Sequence, residues 1–323
     1  MSDARPVLLV TVPEHRLPDE RLVLVREAAP DHEVVRASAD SDGHLDRTEI
    51  VLGRLDPALV ARAPQLRWIQ SWSAGLDWLT EADAEVPPGL LVTSASGVHA
   101  VPIAEHVFAG LLALARRLPA HLRAQREGRW APDADAGVAE LAGQRMVLLG
   151  AGEIGARVAR LADAFGMFVT AVRHHPDAPE PEGVARTVGT DGLLDVLPEA
   201  DALVVTLPLT DATRGLVGAG AIAALPERAV VVNVGRGEVV DQAALVAALA
   251  AGRVAGAALD VFEEEPLPPD SPLWAMDHVI VTPHAAGHTP HYAGRALAIF
   301  LDNLGRFRRG EPLRHAVDLG AGY

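Results

Sequence analysis

Gly150-Ala151-Gly152-Glu153-Ile154-Gly155 follows directly on Met146-Val147-Leu148-Leu149 and precedes a long apolar-rich segment. An apolar run, a glycine-rich turn and a helical pattern in this order predict the strand–turn–helix unit of a dinucleotide-binding fold, which commits the surrounding chain to a parallel α/β sheet. Gly150 permits the tight turn, Gly152 lets backbone approach a pyrophosphate, and Gly155 lets the helix close on the strand. The first helical turn, with Glu153 and Ile154, offers free N–H groups and the positive end of the helix dipole to phosphates. Such a turn alone is a weak signal, and the flanking strand and helix give it its weight.

Phe168-Val169-Thr170-Ala171-Val172 reads as the next strand, β-branched and apolar. A site built for NAD usually ends this strand with an acidic residue that binds the ribose 2′-hydroxyl. Here Arg173-His174-His175 follows instead. The planar fork of an arginine suits a 2′-phosphate, so the sequence favours NADP over NAD. The plainer reading of Arg173 is a solvated residue at a strand end.

The bulk properties narrow the function classes. The chain has 323 residues, room for two ordinary domains, and its 49% hydrophobic and 22% charged content is that of a globular protein. A formal net charge of −15 argues against nucleic acid or an anionic membrane as partner. There is no cysteine, which removes disulfides, thiolate catalysis and cysteine-ligated metals, and no metal site is expected. All 28 basic residues other than histidine are arginine, which removes Schiff-base and P-loop lysine chemistry. The N-terminus shows neither a signal peptide nor a membrane-length apolar stretch, so a soluble cytoplasmic protein is expected.

Strand signals at 7–12, 33–37, 50–52, 66–71 and 91–94 alternate with helix candidates at 19–29 and 57–63. They imply a first parallel sheet with no glycine fingerprint. The segment 101–117 reads as a buried helix joining two domains, and 123–143 as an extended polar loop. Beyond the glycine turn, strands are expected at 202–206, 229–234, 255–259 and 279–282, and helices at 219–225, 242–251 and 290–309. The predicted layout is a dinucleotide-binding domain over 100–288 inserted into a second α/β domain, built from 1–99 and 289–323. A substrate cleft is expected between them.

Three ionisable residues fall at or past strand C-termini in the dinucleotide half, where open α/β sheets bind ligands. Arg236 follows Asn233-Val234-Gly235, Glu265 closes Asp260-Val261-Phe262-Glu263-Glu264, and His284 follows Thr282-Pro283. Singly, each has a structural reading as a turn residue, a solvated acid and a strand-end histidine. Together they specify a reaction. The arginine binds a carboxylate through two parallel hydrogen bonds, the histidine passes a proton to or from an oxygen, and the carboxylate orients the histidine and raises its pKa. Beside a nicotinamide, that is hydride transfer at an oxygen-bearing carbon next to a carboxylate.

Asn233-Val234-Gly235-Arg236-Gly237-Glu238-Val239-Val240-Asp241, Leu259-Asp260-Val261-Phe262-Glu263-Glu264-Glu265-Pro266 and Thr282-Pro283-His284 resemble the signatures of the D-2-hydroxyacid dehydrogenases. The likeness runs through Gly97-Val98-His99-Ala100, Ile103-Ala104-Glu105-His106 and the closing Val317-Asp318-Leu319 and Gly322-Tyr323. It implies a Rossmann cofactor domain and a flavodoxin-like substrate domain. It also implies that Arg236 binds the substrate carboxylate and carbonyl oxygen, that His284 is the general acid and that Glu265 pairs with it. Asp260 would hold the nicotinamide amide, and the backbone of Ser73, Ala74 and Gly75 would receive the carboxylate. Leu207, Pro208 and Thr213 would lie beneath the adenosine and phosphates, with Val234, Gly235 and Gly287 completing the cofactor site. The family is usually a homodimer joined through its cofactor domains, here through the 123–143 arm.

Two departures narrow the resemblance. Arg173 stands where the family commonly has an acid, as in glyoxylate and hydroxypyruvate reductases. No regulatory domain follows residue 323 and no long N-terminal segment precedes the first strand, which sets aside a long phosphoglycerate dehydrogenase and a formate dehydrogenase. The expected activity is NADPH-dependent reduction of glyoxylate, hydroxypyruvate or a similar 2-keto acid. NAD-dependent oxidation of a D-2-hydroxy acid, and a nucleotide-sensing corepressor on the same fold, are the alternatives. Leu76, Trp72, Trp78 and Tyr292 would line the side-chain pocket or serve as core aromatics.

Overall fold

A computed structural model describes residues 5–37, 41–60, 62–75, 79, 87, 89–131 and 137–317. The chain divides into two compact units, residues 1–98 with 289–323, and residues 99–288.

The first unit is a five-stranded sheet of β1 (Val7–Val10), β2 (Glu33–Arg36), β3 (Thr48–Leu52), β4 (Trp68–Gln70) and β5 (Leu91–Thr93). Every pair is parallel and the order is β2-β1-β3-β4-β5, the flavodoxin-like winding. β1 is buried along its whole length, as expected of a central parallel strand covered on both faces. The helix Tyr292–Arg309 returns from the far end of the chain and buries Ala296, Leu297, Phe300 and Leu304 against Leu8, Val10 and Trp68. Phe300 and Phe307 both stack on Trp68, with ring centroids 5.4 Å apart in each pair. A unit built from both chain ends is thereby closed by apolar packing.

The second unit is a seven-stranded parallel sheet of β6 (Arg145–Leu149), β7 (Phe168–Val172), β8 (Arg186–Val188), β9 (Ala202–Val205), β10 (Val230–Asn233), β11 (Gly256–Leu259) and β12 (Val279–Val281). Its order is β12-β11-β10-β9-β6-β7-β8. Starting from β6 this is the doubly wound Rossmann arrangement extended by one strand, with the winding reversing between β6 and β9. The glycine turn therefore sits at the switch point, where such sheets open a crevice. The helices Ala100–Ala115 and Glu153–Ala164 cover one face, burying Val107, Phe108, Leu111, Val158 and Ala162 with Met146, Leu148 and Val204. Among the described residues no helix is long and apolar enough to cross a membrane.

Two expectations need correction. Residues 123–143 are not one extended loop, because the helix Leu118–Arg126 takes up their first part. Pro119 sits in its first turn, where its missing N–H is harmless and its fixed φ is already helical. The polar composition of the segment hid this helix. The three-residue edge strand β8 was not anticipated, and it is too short to show periodicity.

Candidate active site

The glycine turn separates demands made by the fold from one that is not. A Cβ on Gly155 would run into the Gly150 carbonyl, and Gly150 has φ +94° with a Cβ position 2.9 Å from Thr206 Oγ1. Both must be glycine for the strand and helix to meet. Gly152 differs. Its backbone, φ −76° and ψ −161°, is open to any residue, and nothing lies within 4 Å of the place its Cβ would take. The chain leaves an unfilled cradle at the N-terminus of Glu153–Ala164, where first-turn N–H groups lack helical acceptors. This is the shape and polarity that a pyrophosphate needs, so the residues present fit a dinucleotide. Thr206, which sequence reasoning missed, supports the turn by donating from Oγ1 toward the carbonyls of Leu149 and Gly150, both 3.0 Å away.

Arg236 is held out from the C-terminal end of β10 by close backbone packing. Asn233 accepts the Gly235 N–H (3.1 Å) and donates to the Arg236 carbonyl (3.0 Å), closing the turn on a buried amide. A Cβ on Gly235 would come 2.6 Å from the Leu207 carbonyl oxygen, and one on Gly237 would run into the Phe262 carbonyl. The arginine is thus the one bulky side chain its turn can project. It is exposed and donates from Nη1 to the Gly235 carbonyl at 2.8 Å. Val234 beside it is buried at the strand end.

A chain of contacts runs from Arg236 to the histidine. Gly237 abuts Phe262, the Phe262 N–H donates to Glu265 Oε1 at 3.0 Å, and Glu265 Oε2 lies 2.8 Å from His284 Nδ1. A carboxylate accepts only, so Nδ1 carries the proton of this bond and Nε2 is the nitrogen left for a ligand. The His284 side chain is about half exposed, so a ligand can reach it. Its backbone is left-handed, φ +51°, an arrangement that costs a non-glycine residue about 1–2 kcal/mol. Asp260 supports it: its carbonyl accepts the His284 N–H at 2.9 Å.

Asp260 is bonded from several sides. It is 2% exposed, and its carboxylate accepts from Ala285 N, Ala286 N (2.9 Å each) and Thr282 Oγ1 (2.5 Å). A buried carboxylate without partners costs several kcal/mol. These donors meet that cost and bind Asp260 to the turn carrying His284. Gly287 ends the same turn, its carbonyl 2.9 Å from His99 Nδ1.

Other expected residues take unexpected postures. Arg173 stands at the end of β7, but its guanidinium donates to the carbonyls of Pro176 (3.2 Å), Ala178 and Pro179 (3.1 Å), shaping the following loop. Thr213 Oγ1 donates to the Pro208 carbonyl at 2.7 Å and accepts from Thr210 N at 2.8 Å, so its hydroxyl folds the loop after Leu207. In the other unit, Ser73 N–H donates to Ser71 Oγ at 3.1 Å, which engages one of the donors expected for a carboxylate beside Ala74 and Gly75. Trp72 is buried in the core, and the Tyr292 hydroxyl donates to its carbonyl; burial pushes that phenol up from its ordinary range. Leu76 and Trp78 lie outside the described residues, as do residues 318–323 of the terminal motifs.

Residues 108–286 match a family profile described as D-isomer specific 2-hydroxyacid dehydrogenase, NAD binding domain. The chain belongs to the D-isomer specific 2-hydroxyacid dehydrogenases, which are NAD(P)-dependent oxidoreductases. It is 38% identical over 271 residues to a glyoxylate reductase of Aeropyrum pernix, covering 81% of this chain and 79% of that protein. It is 34% identical over 267 residues to a D-3-phosphoglycerate dehydrogenase of Archaeoglobus fulgidus, covering 82% of this chain but only 50% of that longer protein. A D-isomer specific 2-hydroxyacid dehydrogenase of Xanthobacter autotrophicus Py2, solved with NADPH and MES, superposes with a TM-score of 0.82 at 36% identity, over 98% of this chain and 99% of that one. The paired histidine and the projecting arginine both lie past the C-terminal ends of parallel strands, where open α/β sheets form crevices.

Proposed function

We propose that the protein reduces a small 2-keto acid, glyoxylate, hydroxypyruvate or a similar compound, to the D-2-hydroxy acid with NADPH, as a cytoplasmic homodimer. The observation that carries this reading is the 2.8 Å pair of Glu265 and His284 on a half-exposed imidazole. The Aeropyrum relative and the NADPH held by the Xanthobacter protein support the substrate and cofactor.

The glycine cradle and the first turn of Glu153–Ala164 hold the pyrophosphate. Held there, a reduced nicotinamide would supply the hydride for the keto carbon. His284 gives its Nε2 proton to the keto oxygen as that oxygen gains charge, and Glu265 stabilises the imidazolium until then. Arg236 grips the carboxylate through two parallel bonds and draws charge from the carbonyl oxygen. Ser73, Ala74 and Gly75 add backbone donors for the carboxylate. Trp130, 94% exposed in the 123–143 arm, and exposed Leu118 and Leu122 just before that arm support association there.

The test is a panel of keto acids with NADPH. Oxidation of NADPH by the wild type and its loss in His284→Ala is the expected result; a fully active His284→Ala variant overturns the mechanism. A second reading, preference for NADH, is favoured by the three carbonyls that already occupy Arg173. Comparing kcat/KM for the two cofactors in wild type and Arg173→Asp decides between them.

A further inference from the structure

A second histidine stands behind the first. His106, on the helix Ala100–Ala115, places Nε2 3.1 Å from Thr282 Oγ1 and 3.9 Å from Asp260 Oδ1. Thr282 directly follows β12 and precedes His284 by two residues. We propose that His106 is a positioning residue for the proton donor: it donates Nε2–H to Thr282 and so fixes the Asp260 carboxylate that shapes the turn of residues 284–286. The proposal rests on the role given above to His284.

The direction of each bond follows from what the groups can do. The Asp260 carboxylate has no proton and only accepts. The Thr282 hydroxyl has a single proton, and at 2.5 Å from Asp260 Oδ1 that proton is committed to the carboxylate. Only lone pairs remain on Thr282 Oγ1 to face His106, so the imidazole must carry its proton on Nε2. The tautomer of one histidine is thereby dictated by a carboxylate it does not touch at hydrogen-bond distance.

The series then reaches the reacting group. Thr282 Oγ1 and the amides of Ala285 and Ala286 are the donors that compensate Asp260, which is 2% exposed. The backbone carbonyl of the same aspartate holds the left-handed His284. Without a donor at His106, the Thr282 hydroxyl is no longer oriented and can turn its proton away from the carboxylate. The turn carrying His284 then loosens while the glycine cradle, which follows β6, is untouched. A merely space-filling histidine makes a different prediction, because there a side chain of similar bulk suffices whatever its polarity.

The experiment compares His106→Gln, whose amide places an N–H near the Nε2 position, with apolar His106→Leu. Glyoxylate reduction and NADPH binding are measured in both, and the tautomer is read by 15N NMR of histidine-labelled wild type, with the His106 signals assigned by their absence in His106→Gln. The expected results are a proton on Nε2 of His106, kcat in His106→Gln within about threefold of wild type, and kcat in His106→Leu lower by roughly tenfold with the NADPH Kd unchanged, the effect of one lost hydrogen bond. A neutral His106 protonated on Nδ1, or equal kcat in the two variants, overturns the proposal. A wild type that reduces no keto acid defeats the proposed function instead, and the NMR result still decides the hydrogen-bond direction.

Discussion

Glu265 Oε2 lies 2.8 Å from His284 Nδ1 while its Oε1 accepts the Phe262 N–H at 3.0 Å, so one carboxylate is used on both sides as an acceptor. Glutamine cannot copy this. With its oxygen toward His284 it sets an NH2 group against the Phe262 N–H; with its NH2 toward His284 it opposes a doubly protonated imidazole. Glu265→Gln should therefore lower kcat for keto-acid reduction by roughly 100-fold or more. Steady-state kinetics of wild type and Glu265→Gln test this, and an unchanged kcat would falsify the pairing as a catalytic one.

Gly152 and Gly155, three residues apart, should respond in opposite ways to the same substitution. Gly155→Ala drives a methyl into the Gly150 carbonyl and should unfold the turn, lowering Tm. Gly152→Ala meets nothing within 4 Å and has an ordinary backbone, so Tm should hold. The added methyl would occupy the pyrophosphate cradle, and NADPH affinity should fall by about tenfold or more. Thermal melts with and without NADPH separate the two, since only a protein that binds the ligand is stabilised by it.

Arg236→Lys should raise KM for the keto acid and lower kcat together, because a point charge cannot reproduce two parallel bonds to a carboxylate. Gly237→Ala should act on folding instead, since its methyl would strike the Phe262 carbonyl. Steady-state kinetics on the first and urea denaturation of the second test the distinction. A lysine variant with wild-type KM would remove Arg236 from the carboxylate site.

The candidate site residues stand out in the sequence because each follows a short apolar strand, and strand ends are where a parallel sheet presents side chains to ligands. Arg236, Glu265 and His284 needed only that rule and the chemistry of an arginine, an acid and a histidine. What their neighbours do was less legible. Whether Asp260 faces a ligand or the protein depends on the direction of two amides in the following turn, which no residue type encodes. Arg173 was placed correctly at the end of β7, yet its guanidinium finds carbonyls of a proline-rich loop whose path is a tertiary result. His106 lay in a recognised motif, but its partner is 176 residues away. The helix Leu118–Arg126 was concealed for a local reason, since a short amphipathic helix with a polar exposed face reads like a loop.

The closure of the first unit depends on a polar group that apolar periodicity would not select. Asn303, fully buried on Tyr292–Arg309, donates to Gln70 Oε1 (3.1 Å) and the Arg314 carbonyl (3.0 Å) and accepts the Arg314 N–H (2.8 Å). Gln70 Oε1 also accepts from Thr93 Oγ1, which accepts from Trp68 Nε1, both at 2.8 Å. The series ties β4, β5 and the returning helix through satisfied donors and acceptors. Asn303→Ala leaves the Arg314 amide and carbonyl without these partners, and one to three kcal/mol for each orphaned group predicts a loss of about 2–6 kcal/mol. Asn303→Asp should be worse at neutral pH, because the carboxylate would face two acceptor oxygens, and should recover part of the loss as acid protonates it. Urea unfolding at neutral and acidic pH, followed by far-UV circular dichroism, measures both. Equal stability of wild type and Asn303→Ala would show that water replaces the asparagine at no cost.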